Sequence, residues 1–204
     1  MLMNNIINVG RSFGSGGGYV GQAVAEKLGI PFYDNELISK ACEESGYSKD
    51  LFAGGEVKRS IFSASSFFTS GRLSYMDGAY VSEDLLFKAQ SEVIRSIADK
   101  GDAVIIGRCA DYILRDRPCL NVFIDGPVEY RIKRLVENER MTAEEAEKLI
   151  RKKDRTRETY YNYYTFGQWG QASNYHLCLD SSVLGIEGTA DFIIEFGKRA
   201  GLIH

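Results

Sequence analysis

The stretch that decides the fold runs from Ile7 to Ile38: INVGRSFGSGGGYVGQAVAEKLGIPFYDNELI. The apolar run Ile6 to Val9 reads as a buried strand, and the pattern from Val20 to Leu28 reads as a helix. Between them, Gly10 to Gly21 carries glycine at six of twelve positions, whereas a plain strand-to-helix turn needs one or two. Without Cβ atoms in the way, backbone N–H groups can converge on an anion. The helix that follows adds unpaired N–H groups and a partial positive charge. The expectation is a phosphate cradle built from Arg11, Gly14, Ser15, Gly16, Gly17, Gly18 and Tyr19.

Two phosphate-binding templates compete for this loop. GxxxxGK[ST] fits imperfectly, because five residues separate Gly10 from Gly16 and Gly17 stands in the lysine position. The dinucleotide template GxGxxG is met literally by Gly16-Gly17-Gly18-Tyr19-Val20-Gly21, with Asp34 placed where a ribose-binding acid would stand. That template wants its first glycine directly after the strand. Here Gly10 to Ser15 intervene, which favours a long loop enclosing phosphates.

Working outward, further short apolar runs occur at Ile30 to Tyr33, Ala103 to Ile106, Leu120 to Ile124 and Tyr175 to Leu179. Helical patterns alternate with them at Glu36 to Glu44, Glu83 to Asp99, Val128 to Glu139, Ala143 to Arg157 and Gly188 to Arg199. Such alternation predicts an α/β fold in one domain, with helices on both faces of a parallel sheet. Two segments break the rhythm, Ser48 to Val81 and Glu139 to Ser173, and both suit either movable covers over a site at the strand ends or ordinary packed excursions.

Of the 204 residues, 44% are hydrophobic and 26% charged, so the chain is neither disordered nor fibrous. A net charge of −3 lacks the footprint of a dedicated DNA or RNA binder. The four cysteines form no metal-ligand spacing, and no apolar run approaches the roughly 20 residues needed to span a bilayer. These features point to a cytoplasmic protein with reduced thiols, and the global charge names no partner.

GRSFGSGGGYVGQAVAEKLGIPFYDNELI, VIIGRCADYIL, VFIDGPVEYRIKRL, RKKDRTRETYYNYYT and NYHLCLDSSVLGIEG together resemble the cytidylate-kinase-like family of P-loop proteins over nearly the whole chain. The resemblance implies a three-layer α/β/α P-loop NTPase fold, an acceptor-binding insertion near 48–81 and an arginine-rich lid within 139–173. It also implies phosphoryl transfer from ATP with Mg²⁺, the metal held mainly by phosphates and water, to a nucleoside monophosphate such as CMP or dCMP. Three departures stand out. Gly17 replaces the lysine and Cys109 replaces the aspartate of GRD in the related bacterial cytidylate kinases, while Gly18 stands where family members commonly carry a basic residue. A noncatalytic nucleotide-binding regulator, or a kinase for another small acceptor, therefore stands beside the first reading.

Phosphoryl transfer needs aligned phosphates and positive charge on their oxygens, which guanidinium groups supply. Arg131, Arg155 and Arg157 are the expected catalytic clamps, and Arg134 sits one helical step from Arg131. Arg108, which matches the arginine of GRD, is assigned to the acceptor with Asp34 and Asp111. Asp34 suits a helix cap equally well. Arg11 either supplies the charge of the missing lysine or faces solvent. The stretch from Tyr160 to Trp169 is read as packing at the lid root, and Cys109 as either a low-pKa or an inert buried thiol. No residue is assigned as a metal ligand.

Overall fold

A computed structural model describes residues 4–44 and 83–204. Its strands are β1 (Ile6–Arg11), β2 (Phe32–Tyr33), β3 (Ala103–Ile106), β4 (Leu120–Asp125) and β5 (Leu177–Asp180). They form one parallel sheet in the order β2-β3-β1-β4-β5. Central β1 pairs on one side with β3, Val9 opposite Ile106, and on the other with β4, Val9 opposite Val122. The chain thus runs from β1 out to edge strand β2, returns to β3 beside β1, and crosses to β4 on the other side of β1. Beyond the carboxyl ends of such strands a crevice opens, where ligands of open α/β sheets gather.

The helices are α1 (Gly17–Leu28), α2 (Asn35–Glu44), α3 (Glu83–Lys100), α4 (Ala110–Ile113), α5 (Val128–Glu139), α6 (Ala143–Thr165) and α7 (Ser181–Arg199). Side chains alternate across the sheet. Ile7 and Val9 join Val20, Val24 and Ile193 in the core beneath α1 and α7, whereas Ile6 joins Ile38, Ile94, Ile113 and Tyr161 beneath α2, α3, α4 and α6. Each fully buried aliphatic side chain contributes roughly 1.5–3 kcal/mol, so two such layers suffice to hold the sheet.

The alternation read from the sequence is the fold observed, with shifts at the ends of elements. Helix α6 continues past Arg157 to Thr165 because its tyrosines have partners: Tyr164 stacks on Phe87 of α3 at 4.0 Å and the Tyr160 hydroxyl donates to Gln90. It starts where the Thr142–Glu145 capping box satisfies its first amides. Helix α7 begins at Ser181 rather than Gly188, because the Asp180 carboxylate accepts from the Ser182 amide, and Gly185 (φ 67°, ψ −175°) interrupts it one turn later. The expected insertion near 48–81 falls outside the described residues.

Candidate functional site

The glycine loop leaves β1 and turns into α1 through two left-handed residues, Gly14 (φ 81°) and Gly16 (φ 82°), the latter capping α1. Side chains with a Cβ adopt that backbone only at a cost, which explains glycine at both places. Gly17 is required for a different reason. A Cβ there would lie 2.5 Å from the Arg11 Cβ, so the Arg11 side chain fills the space that a lysine at position 17 would need. At Gly18 nothing lies within 4 Å of an added Cβ.

The loop is fastened on both flanks. The Ser181 hydroxyl sits 2.5 Å from the Ser15 carbonyl oxygen, and the Ser15 hydroxyl donates to the Ser12 carbonyl. On the other flank the Phe13 amide donates to Asp154 (2.7 Å), Arg131 donates to the Phe13 carbonyl (3.2 Å), and Arg157 donates to the Arg11 carbonyl (3.0 Å).

Two cavities meet at this loop. The first, about 400 Å³, lies over the ends of β1 and β3 and is walled by Arg108, Asp111, Lys153, Tyr160, Tyr161, Trp169 and Tyr175 among others. The second, about 550 Å³, follows the loop past Gly16, Gly17, Gly18 and Tyr19 to Arg134 and Asn138. Arg11, Phe13, Asn35 and Arg157 line both.

Charge is concentrated at that junction. Burial, then Arg157 and Arg108, holds the Arg11 guanidinium well below its ordinary value, with Asp34 opposing. Burial likewise pulls Arg157 down to about 10, so it stays protonated at neutral pH. Burial and Arg157 lower Lys153 as well. Cations gathered this closely, out of water, favour an anionic occupant. Burial raises the Asp111 carboxyl, with the Tyr161 hydroxyl donating to it at 2.7 Å and partly offsetting the shift.

The residues expected from sequence separate into those inside the cleft and those outside it. Arg11, Gly14, Gly16, Gly17, Gly18, Tyr19, Asp34, Arg108, Asp111 and Arg157 line one cavity or both. Ser15 is fully buried beneath the loop. Asp34 caps α2, accepting from the Glu36 and Leu37 amides, and it lines the loop cavity rather than the cavity that Arg108 and Asp111 line. Arg131 is 8% exposed and locked to Asp154 at 2.6 Å, outside both cavities. Arg155 is exposed on the far side of α6, in a recess with Glu147 and Glu158. Residues two apart cannot share a helix face, whereas Lys153 and Arg157 at i,i+4 do, and that periodicity was the signal for Lys153. Arg134, lying 5.7 Å from both the Tyr19 and Tyr130 ring centres, enters the cleft that its neighbour Arg131 does not reach.

At the end of β3, Gly107, Arg108 and Cys109 all have positive φ (69°, 55° and 56°). For the two residues with side chains this is a strained backbone. It carries Arg108 toward α2, where its Nε donates to Asn35 Oδ1 at 3.1 Å. The Cys109 thiol is buried and its pKa is raised by that burial, so it is the inert thiol of the two readings.

The model of the cytidylate kinase-like family matches residues 6–183. The chain belongs to that family. Its function is accordingly kinase-like, directed at nucleotides or other small molecules. No curated protein matches the sequence. Among solved structures, an uncharacterized protein from Eubacterium ventriosum is 28% identical with a TM-score of 0.70, over 94% of this chain and 97% of that one. A shikimate kinase from Bacteroides thetaiotaomicron (15% identity, TM-score 0.54, 95% and 98% covered) shares the fold. So does a gluconokinase from Sinorhizobium meliloti (14%, 0.51, 98% and 97%). The family member therefore has the P-loop kinase fold. Among the described residues, no helix is long and apolar enough to cross a membrane, and no group of His, Cys, Asp and Glu is arranged to hold a metal ion.

Proposed function

We propose that this cytidylate kinase-like protein transfers the terminal phosphoryl group of ATP to a nucleoside monophosphate, CMP or dCMP first among them. The observation that carries the reading is the pair Arg11 and Arg157, which border both cavities at once. A donor in the loop cavity and an acceptor in the other would meet between these two guanidinium groups. Donor phosphates would lie on the amides that start α1, while Arg134 and Tyr19 offer a surface for stacking the donor base. The acceptor's phosphate would face Arg108, Lys153 and Arg157, and its ring would lie among Tyr160, Trp169 and Tyr175. Asp111 would accept from an amino or hydroxyl group.

The loop itself offers amides and the Arg11 guanidinium, which fits an anion, while Asp34, Glu36 and Glu139 also line the same cavity. Mg²⁺ would arrive on the donor phosphates, keep water as its remaining ligands, and supply charge neutralisation. Arg11 takes the part of the P-loop lysine, and that substitution is what keeps transfer chemistry available without an ammonium at position 17. No covalent intermediate is needed, since alignment and charge stabilisation carry phosphoryl transfer. Gly17 and Cys109, standing where the related kinases carry lysine and aspartate, are the observations favouring a noncatalytic regulator.

A panel of nucleoside monophosphates, with shikimate and gluconate added, incubated with ATP and Mg²⁺ and followed for ADP and phosphorylated product, tests the proposal. Product from CMP or dCMP supports it. Calorimetric ATP binding without product from any acceptor moves the conclusion to the regulator. Absence of ATP binding removes both.

A further inference from the structure

We infer that Asp154 is the residue through which α6 sets the shape of the phosphate loop, a positioning residue for donor phosphates. The inference rests on the kinase reading above. Both backbone polar groups of Phe13 are held from outside the loop. Its N–H donates to Asp154 Oδ1 at 2.7 Å, and its carbonyl accepts from Arg131 Nη1 at 3.2 Å. Arg131 Nη1 also donates to Asp154 Oδ2 at 2.6 Å, closing a ring of three hydrogen bonds around one residue. The two side chains are 10% and 19% exposed, so water competes little for the bonds.

The ring acts at the point where the cradle begins. Gly14 follows at once in its left-handed conformation, and a Cβ on it would lie 3.2 Å from both the Cβ and the carbonyl oxygen of Arg131. One turn beyond Asp154, Arg157 holds the Arg11 carbonyl, and its guanidinium carbon lies 5.3 Å from the Phe13 ring centre. Helix α6 thus grips residues 11 and 13, and the direction in which the following amides point depends on that grip. Asp154 touches no cavity of the donor or acceptor; it works through Phe13.

The test uses calorimetric binding of Mg²⁺ with a nonhydrolysable ATP analogue carrying a β,γ-imido bridge. In Asp154→Asn a single carbonyl oxygen faces two donors; it turns to the charged Arg131 guanidinium, the stronger partner, and the Phe13 N–H is left against the amide NH₂. The analogue is expected to bind about tenfold more weakly. In Asp154→Asn/Arg131→Met, the asparagine carbonyl is again available to Phe13, and affinity is expected to return to within about threefold of wild type. A merely structural role predicts the reverse, because the double variant loses more packing and every contact of the guanidinium. Unchanged binding in the single variant, or a double variant no tighter than the single, overturns the inference while leaving the kinase reading intact. Failure of the wild-type protein to bind the analogue overturns both.

Discussion

Arg11 and position 17 compete for one volume, so the cation at the loop can be moved by design. In Gly17→Lys the new Cβ meets the Arg11 Cβ at 2.5 Å and the Ile124 Cβ at 3.1 Å. Overpacking of this kind costs about 1–3 kcal/mol, and at about 2–4 °C per kcal/mol the variant melts several degrees below wild type. It also displaces Arg11 from the cleft. Arg11→Gly keeps the fold at a backbone cost of roughly 0.5–1 kcal/mol, but deletes a charge whose loss costs on the order of 3 kcal/mol, about a hundredfold in rate. The double variant Arg11→Gly/Gly17→Lys abolishes the Cβ–Cβ collision, and the tight contact with Ile124 remains. It should recover at least about tenfold over Arg11→Gly. Gly18→Lys is the control: with open space around it, this change should be tolerated and gain up to about 1 kcal/mol in helix propensity. Thermal melts and ADP formation with CMP as acceptor measure all four proteins. A stable Gly17→Lys single variant that transfers as fast as wild type would refute the shared-volume argument, as would a double variant no faster than Arg11→Gly.

Arg157→Ala should slow transfer about a hundredfold, whereas Arg155→Ala on the opposite face of α6 should stay within about threefold, measured as kcat/KM for ATP. Equal effects would mean that the exposed arginine reaches the reaction. Asp111 gives a pH signature. Burial raises its carboxyl, so the folded state favours the protonated form. The stability from that form is fully present below the ordinary aspartate value of about 4 and is lost as pH rises through the raised one. Asp111→Asn preserves an acceptor for Tyr161 and should melt above wild type at pH 8, with the gap narrowing toward pH 4.5; a gap independent of pH would contradict this.

Local pattern sufficed for the sheet and its flanking helices because strands such as Ala103–Ile106 are buried along their whole length. The phosphate loop was equally legible, since glycines with special backbone demands are visible as glycines. What the sequence hid were choices among like residues. Arg131 and Arg134 look alike on a helix, yet the tertiary partner Asp154 traps the first and leaves the second at the cleft. Arg155 and Arg157 sit in one basic run, and only the rotation of α6 separates them. The bond of Asp154 to a loop amide 141 residues away has no local trace.

Helix α6 is bolted at both ends, by Leu135 packed with Ala146 and Ile150 toward its start and by Phe87 and Gln90 toward its finish. A rod so anchored behaves as a ruler. From Lys153 to Tyr161 it spans about 12 Å at about 1.5 Å per residue, and Lys153, Arg157, Tyr160 and Tyr161 face the cavity over the ends of β1 and β3. Molecules would then be sorted by whether their charged and flat parts match marks at fixed intervals, a gauge that changes only when residues are inserted or deleted along the rod.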